Sequence, residues 1–354
     1  MIKIRDKLIS DNSRCYITFE AGPTHLGYLS AKKLITQAAK AGADAIKFQI
    51  LDPERLIQDK NQMFEFKILT NRKKKKTKTV KKKLYDLMKE RSLKKSEWRK
   101  LRQYADKLDL AFFATVAFED EIEFVKEIGC DSIKIASADI NYLSLIDKAS
   151  KTNLPIQLDT GMSTIKEVEK AVKIIEKNKN NKIIIHHCPS GYPAGKNNIN
   201  LNIIKTLKKK FKYPIAFSDH SPGYDTDIAA LAIGSNMLEK TITEDVTYPS
   251  VEHMMSIEKK DMIKFISTVR FIEDAMGLYK RNLTKEEIDK RNKIRRSLFL
   301  YRDVKKGEVL KKVPYFFARP GDGITPELFN KFKNFKFKKD LLKNSKVSCK
   351  DLKN

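Results

Sequence analysis

Up to Gly277 the chain alternates between short apolar runs and longer segments whose apolar residues recur at helical spacing. The runs are Cys15–Gly22, Ala45–Ile50, Ala111–Val116, Ser132–Ser137, Pro155–Gly161, Ile183–Pro189, Pro214–Phe217 and Met237–Thr243. Between and after them, helices are expected over Ala31–Ala41 (capped by Ser30), Lys95–Lys107, Phe118–Ile128, Leu143–Ser150, Ile165–Asn178, Leu201–Phe211, Asp225–Gly234 and Ile257–Met276. About eight strand–helix units in strict alternation are the pattern of a (β/α)8 TIM barrel. A doubly wound open sheet is the rival. It would normally carry a Gly-rich phosphate loop after its first strand, and GPTHLG at Gly22–Gly27 is not GxGxxG.

Two stretches depart from the alternation. Leu51 to about Leu110 is long and contains the run NRKKKKTKTVKKK, Asn71–Lys83. Without aromatics or glycines, that run reads first as a solvated insertion or helix face and second as a polyanion-binding patch. Beyond Gly277 the composition changes. A barrel domain is expected over 1–282, a charged linker over 283–294, and a small β-rich domain over 295–354. So small a domain has a thin core and is expected to pack on something, such as a partner subunit.

The net charge of +27 comes from 72 Lys and Arg against 45 Asp and Glu. These cations are mostly Lys spread along the whole chain, so nucleic acid is not the expected partner. No apolar run approaches a membrane span, and the first ten residues lack the apolar centre of a signal peptide. Cys15, Cys130, Cys188 and Cys349 show no paired spacing, which predicts reduced thiols in a cytoplasmic protein.

Chemistry is concentrated where the strands end, the face on which barrels keep their ligands. These ends carry Glu20, Lys47, Lys134 with Ser137, Thr160, His187 with Ser190, Ser218 with Asp219 and His220, and Glu239. An ammonium inside an apolar strand needs a counter-anion, so Lys47 and Lys134 each require a carboxylate or a bound anion. Glu20 or Asp139 would suffice as structural partners. With hydroxyls at Ser190 and Ser218, the set also suits a phosphorylated, multiply anionic substrate. His220 is the firmest candidate for holding a divalent ion, whereas His186 should face away from His187 and serve structure.

Several motifs in order carry a family likeness: FEAGPTHLG, AGADAIKFQ, IGCDSIKIASADI, DTGMST, HHCPSGYPA, FSDHSPG and MLEKTIT. The chain resembles the sialic acid synthases, meaning N-acetylneuraminate synthase and its legionaminic and pseudaminic acid relatives. Its C-terminal RRSL, KKGEV and RPGDGI segments resemble their antifreeze-protein-like SAF domain. The resemblance implies a metal-dependent condensation of phosphoenolpyruvate with an N-acylated mannosamine-type aldose. Lys47, Lys134, Ser190 and Ser218 would hold phosphoenolpyruvate with Thr160 nearby, and Glu20 would sit at the sugar aldehyde. His220 would ligate Mn2+ or Mg2+, with Glu239 acting through a water. Arg319 would reach a neighbouring subunit's sugar pocket, which implies a domain-swapped homodimer.

The chain also departs from the family pattern. Thr241 stands where the last strand usually has a second metal-binding His. Asp139 replaces a Glu, Glu252 replaces an Asp, and Gly191 and Pro189 replace a Glu and a Thr. These shifts fall on the sugar side and predict an altered acceptor. Two other readings stay open: a weakened paralogue that binds sugar or phosphosugar without turnover, and a polyanion-binding protein using the Lys-rich run.

Overall fold

Strand parity decides how this chain closes on itself. In the run Ala45-Ile46-Lys47-Phe48-Gln49-Ile50, alternate residues point to opposite faces, so Ile46, Phe48 and Ile50 share one side and Ala45, Lys47 and Gln49 the other. The computed structural model, which describes residues 2–278 and 280–354, shows eight such strands hydrogen-bonded side by side into a closed parallel barrel. They are β1 (Tyr16–Glu20), β2 (Ala45–Ile50), β3 (Ala111–Val116), β4 (Ser132–Ile135), β5 (Ile156–Asp159), β6 (Ile183–His187), β7 (Ile215–Asp219) and β8 (Met237–Thr241). Closure comes from β8 pairing with β1, with Thr241 opposite Glu20. The outward residues, among them Phe19, Phe48, Phe112, Ile133 and Phe217, form the main core beneath the surrounding helices. The expected (β/α)8 barrel is the fold found.

The helices that alternate with these strands are α1 (Tyr28–Ala41), α2 (Lys95–Lys107), α3 (Glu119–Glu127), α4 (Leu143–Ser150), α5 (Ile165–Lys177), α6 (Asn202–Lys210), α7 (Asp225–Ala232) and α8 (Lys259–Met276). Helix α5 shows why they form. Thr164 and Glu167 make a reciprocal capping box, and Val168, Ala171, Val172 and Ile175 bury one stripe. The expected Ser30 cap is not found: α1 begins after Gly27, and the Ser30 hydroxyl donates instead to Glu244 at 2.6 Å.

Two hairpins finish this unit, Met1–Gly277. Ile2–Ile4 pairs with Lys7–Ile9, and Ile2, Ile4 and Ile9 join Tyr16, Phe113, Ile184 and Met237 in a separate apolar cluster at the N-terminal end of the barrel. The Lys-rich run is a strand, not a helix face: Met63–Asn71 pairs antiparallel with Lys76–Lys83. Its apolar edge, Phe64, Phe66, Ile68 and Val80, packs with Leu87 and Val251, while most of its lysines remain exposed. Cross-strand pairing and one buried face hold the ribbon despite its charge.

The second unit is Leu278–Asn354. The segment expected as a linker holds a helix, Lys285–Ile294, capped by Thr284 and Glu287. Two small antiparallel pairs, Ser297–Leu300 with Tyr315–Ala318 and Lys336–Phe337 with Leu352–Lys353, enclose Leu298, Leu300, Val313, Ile324, Phe337 and Val347. Among the described residues no helix is long and apolar enough to cross a membrane.

Candidate active site

The inward residues near the C-terminal ends of the strands are charged, and all lie in one place. Glu239 on β8 is the hub. Its Oε1 accepts from Lys47 Nζ (2.8 Å), Lys134 Nζ (2.6 Å) and Ser218 Oγ (2.9 Å), and its Oε2 accepts from Lys134 at 2.7 Å. Lys47 also meets Glu20 Oε2 at 2.5 Å, and Lys134 meets Asp159 Oδ1 at 2.9 Å. All five ionisable groups are buried. Five strands thus supply two ammonium groups and three carboxylates to one network, and charge-assisted contacts balance the desolvation of each ion.

The carboxylates differ in what they feel. Burial pushes Glu239 up, but Lys134 and Lys47 outweigh it and hold the group well below the ordinary range. For Glu20 and Asp159 burial is the larger effect, so both are raised in spite of their lysines. Lys47 is lowered by burial, yet Glu20 and Glu239 bring it well above its usual value.

A cavity of about 500 Å³ opens over this network, and its lining includes Glu20, Lys47, Asp139, Asp159, Ser218, His220, Glu239 and Glu252. Gly22 and Gly161 permit the tight packing around it. A Cβ on Gly22 would stand 2.7 Å from Glu20 Oε1, which accepts the Gly22 N–H, and one on Gly161 would stand 2.6 Å from the Cys188 carbonyl. Burial raises Asp139 to about 6. Glu252, in a left-handed backbone conformation at φ 71°, is raised to about 8 by burial and by nearby Glu20.

Two expected positions are not among the cavity's lining residues. Thr160 spends its hydroxyl on the His186 carbonyl at 2.8 Å, and Ser190 is exposed; neither lines the cavity. Arg319 belongs to the second unit, just after the strand Tyr315–Ala318. The histidine pair is reversed from expectation. His186 faces inward, with Nε2 2.9 Å from Gln157 Oε1, while His187 faces the helices and contacts the Ile199 carbonyl. Asp219 also points outward, to Lys240 at 2.5 Å with Asp227 beyond.

His220 lies 3.1 Å through Nδ1 from the Pro189 carbonyl, and burial lowers it to about 4. With Nδ1–H donating there, a neutral ring offers its Nε2 lone pair, as a metal ligand should. The rest of the donor set does not fit. Both Glu239 oxygens already accept from ammonium groups, Thr241 is a buried hydroxyl, and among the described residues no group of three His, Cys, Asp or Glu gathers as a metal cage.

Several lining groups were not among the expected site residues. Asp159 sits in DTGMST but reads there as a strand end, and only the fold shows it on Lys134. Phe64, Leu84, Leu87, Met88 and Arg91 reach the cavity from the hairpin insertion. Phe64 packs on Tyr192 (ring centroids 6.2 Å apart) and Tyr192 on His220 (5.1 Å), so the insertion is continuous with the site.

A (β/α)8 barrel with buried lysines and carboxylates at its C-terminal mouth is the architecture of an enzyme acting on a small anionic molecule. Residues 34–281 match the NeuB family, and the chain belongs to that family. It is 32% identical over 319 residues to the N,N'-diacetyllegionaminic acid synthase of Campylobacter jejuni, covering 89% of this chain and 93% of that one. An uncharacterized protein of Methanocaldococcus jannaschii is 32% identical over 340 residues, 96% of this chain and 95% of its own. Among solved structures, the N-acetylneuraminic acid synthetase of Leptospira borgpetersenii, in complex with citrate, superposes with a TM-score of 0.70. It is 32% identical and covers 82% of this chain and 96% of that one.

Proposed function

We propose that this chain is a nonulosonic (sialic-type) acid synthase that condenses phosphoenolpyruvate with an N-acylated, mannosamine-like aldose and releases phosphate. One observation carries the reading: Lys47, Lys134 and Ser218 converge on a single carboxylate, Glu239, in the barrel mouth. Two ammonium donors and a hydroxyl so arranged suit a phosphate or carboxylate of the donor substrate.

Lys47, Lys134 and Ser218 hold phosphoenolpyruvate, and Glu239 orients all three. The C2–C3 π electrons attack the aldehyde carbon. The aldehyde oxygen takes its proton from Glu252, whose carboxyl stays protonated up to about pH 8. Water adds at C2 and gives one proton to Glu20; as the C2–O bond to phosphate breaks, the new C2 hydroxyl gives its proton to the departing phosphate and becomes the ketone. Asp139 contacts the sugar side. Mn2+ or Mg2+ is the cofactor that the resemblance implies, and no step above depends on it. Arg319 completes the sugar pocket of the second subunit in a domain-swapped homodimer. The four free cysteines support a cytoplasmic location.

The test is to incubate purified protein with phosphoenolpyruvate and a panel of acylated aldoses, with and without Mn2+. Phosphate release matched by consumption of the aldose is expected. Release from none of them would overturn the assignment. Thr241 and the saturated Glu239 favour one second reading, a paralogue that binds sugar without turnover. Sugar-dependent stabilisation without phosphate release, in protein that retains no metal, would select it.

A further inference from the structure

We propose that Arg91 docks an anionic substituent of the acceptor sugar, so that the preferred aldose carries a phosphate ester or a carboxylate as well as its acylamino group. This rests on the synthase reading above and specifies its acceptor.

Arg91 follows the short helix Leu84–Lys89 behind the hairpin and lines the cavity. Inside the protein its Nε donates to the Leu87 carbonyl at 2.8 Å. Among the described residues no carboxylate comes within 4.0 Å of its guanidinium, and its terminal N–H groups have no hydrogen-bond acceptor. Other lysines and arginines near the mouth are engaged: Lys47 and Lys134 in the network, and Arg72 with Glu258 and Asp245. Arg91 is held by one nitrogen, Nε, and lines the cavity with the rest of its fork unengaged by any described residue. That is the arrangement for bidentate capture of a phosphate or carboxylate.

Position assigns this anion to the acceptor. Lys47 and Lys134 stand on barrel strands at the floor, whereas Arg91 belongs to the inserted wall with Phe64, Leu84, Leu87 and Met88. Glu252, on the sugar side in the mechanism above, is the acid whose field reaches Arg91 most strongly. Arg91 is half-buried, burial lowers the guanidinium from its ordinary value, and a bound anion would offset that cost.

The experiment compares N-acetylmannosamine, its 6-phosphate and the matching uronate as acceptors for wild type, Arg91→Gln and Arg91→Lys. Wild type is expected to show a KM for one of the charged sugars at least ~10-fold below that of the neutral one. Arg91→Gln should raise that KM ~10- to 100-fold, leaving the neutral sugar and phosphoenolpyruvate within about twofold, and Arg91→Lys should fall between. Which charged sugar is better tells phosphate from carboxylate. Equal KM values for charged and neutral sugars, or a uniform loss in Arg91→Gln, would overturn the proposal while leaving the synthase intact. If no aldose turns over, the synthase reading goes. The arginine is then judged by thermal shift with the 6-phosphate, and stabilisation that survives Arg91→Gln overturns it.

Discussion

Lys134 separates Asp159 from Glu239 and touches both. Replacing it with Met leaves Asp159 buried without an ionic partner, which should cost about 3–5 kcal/mol in chemical denaturation. Both carboxylates can escape by taking up a proton, so the loss should be larger at about pH 8 than at about pH 5. A loss independent of pH would mean that Lys134 matters only through packing. Glu252 titrates in the opposite sense to Glu239. Burial raises its folded value to about 8 from the ordinary 4.5, so its contribution is fully present below the unfolded value and is lost as pH rises through 8. The rate with saturating phosphoenolpyruvate should therefore fall above about pH 8, and Glu252→Gln should be slower at neutral pH and lack that limb. Residue roles were only partly legible in the sequence. The two buried lysines announced themselves by their apolar neighbours, but the run Ile183-Ile184-Ile185-His186-His187 has no polar alternation to set its phase. Arg91 belongs to no motif, and its isolation exists only once the insertion has folded.

Elements bounded by strong turns were readable to the residue, as Ala45–Ile50 between Asp44 and Leu51 and Leu143–Ser150 after Asn141. The Lys-rich strand was not, because lysine has poor strand propensity and its partner MFEFKIL carries the alternation that specifies the pair. The helix Lys285–Ile294 buries nothing, so only its Thr284–Glu287 capping box marks it. The hairpin should behave as a unit of low local stability, since Phe66, Leu87 and Val251 are its few buried anchors. Phe66→Ala is expected to speed amide exchange across residues 63–83 by roughly tenfold or more while moving the global melting temperature little. A matching fall in global stability would show instead that the hairpin is part of the barrel's cooperative core.

At the scale of the whole molecule, the proposed homodimer makes a prediction that separate chains cannot mimic. Lys134→Ala and Arg319→Ala should each be nearly inactive, and refolding the two together should restore about a quarter of wild-type activity, because half the dimers are mixed and each has one complete site. No recovery would place Arg319 outside the pocket. The alternation of strands and helices made the barrel legible from sequence, since few other topologies bury eight such runs; the assembly of charge at its mouth was not, because it depends on which strands become neighbours.

That assembly has a consequence for measurement. In the mouth of a chain with net charge +27, Glu20, Asp139, Asp159, Glu239 and Glu252 outnumber Lys47, Lys134 and Arg91. A phosphate ester entering such a chamber drives its raised carboxyls to keep or acquire hydrogen ions from the medium. Titration calorimetry should therefore return a heat that varies with the ionisation enthalpy of the buffer, and the slope will count the ions taken up for each phosphoenolpyruvate bound.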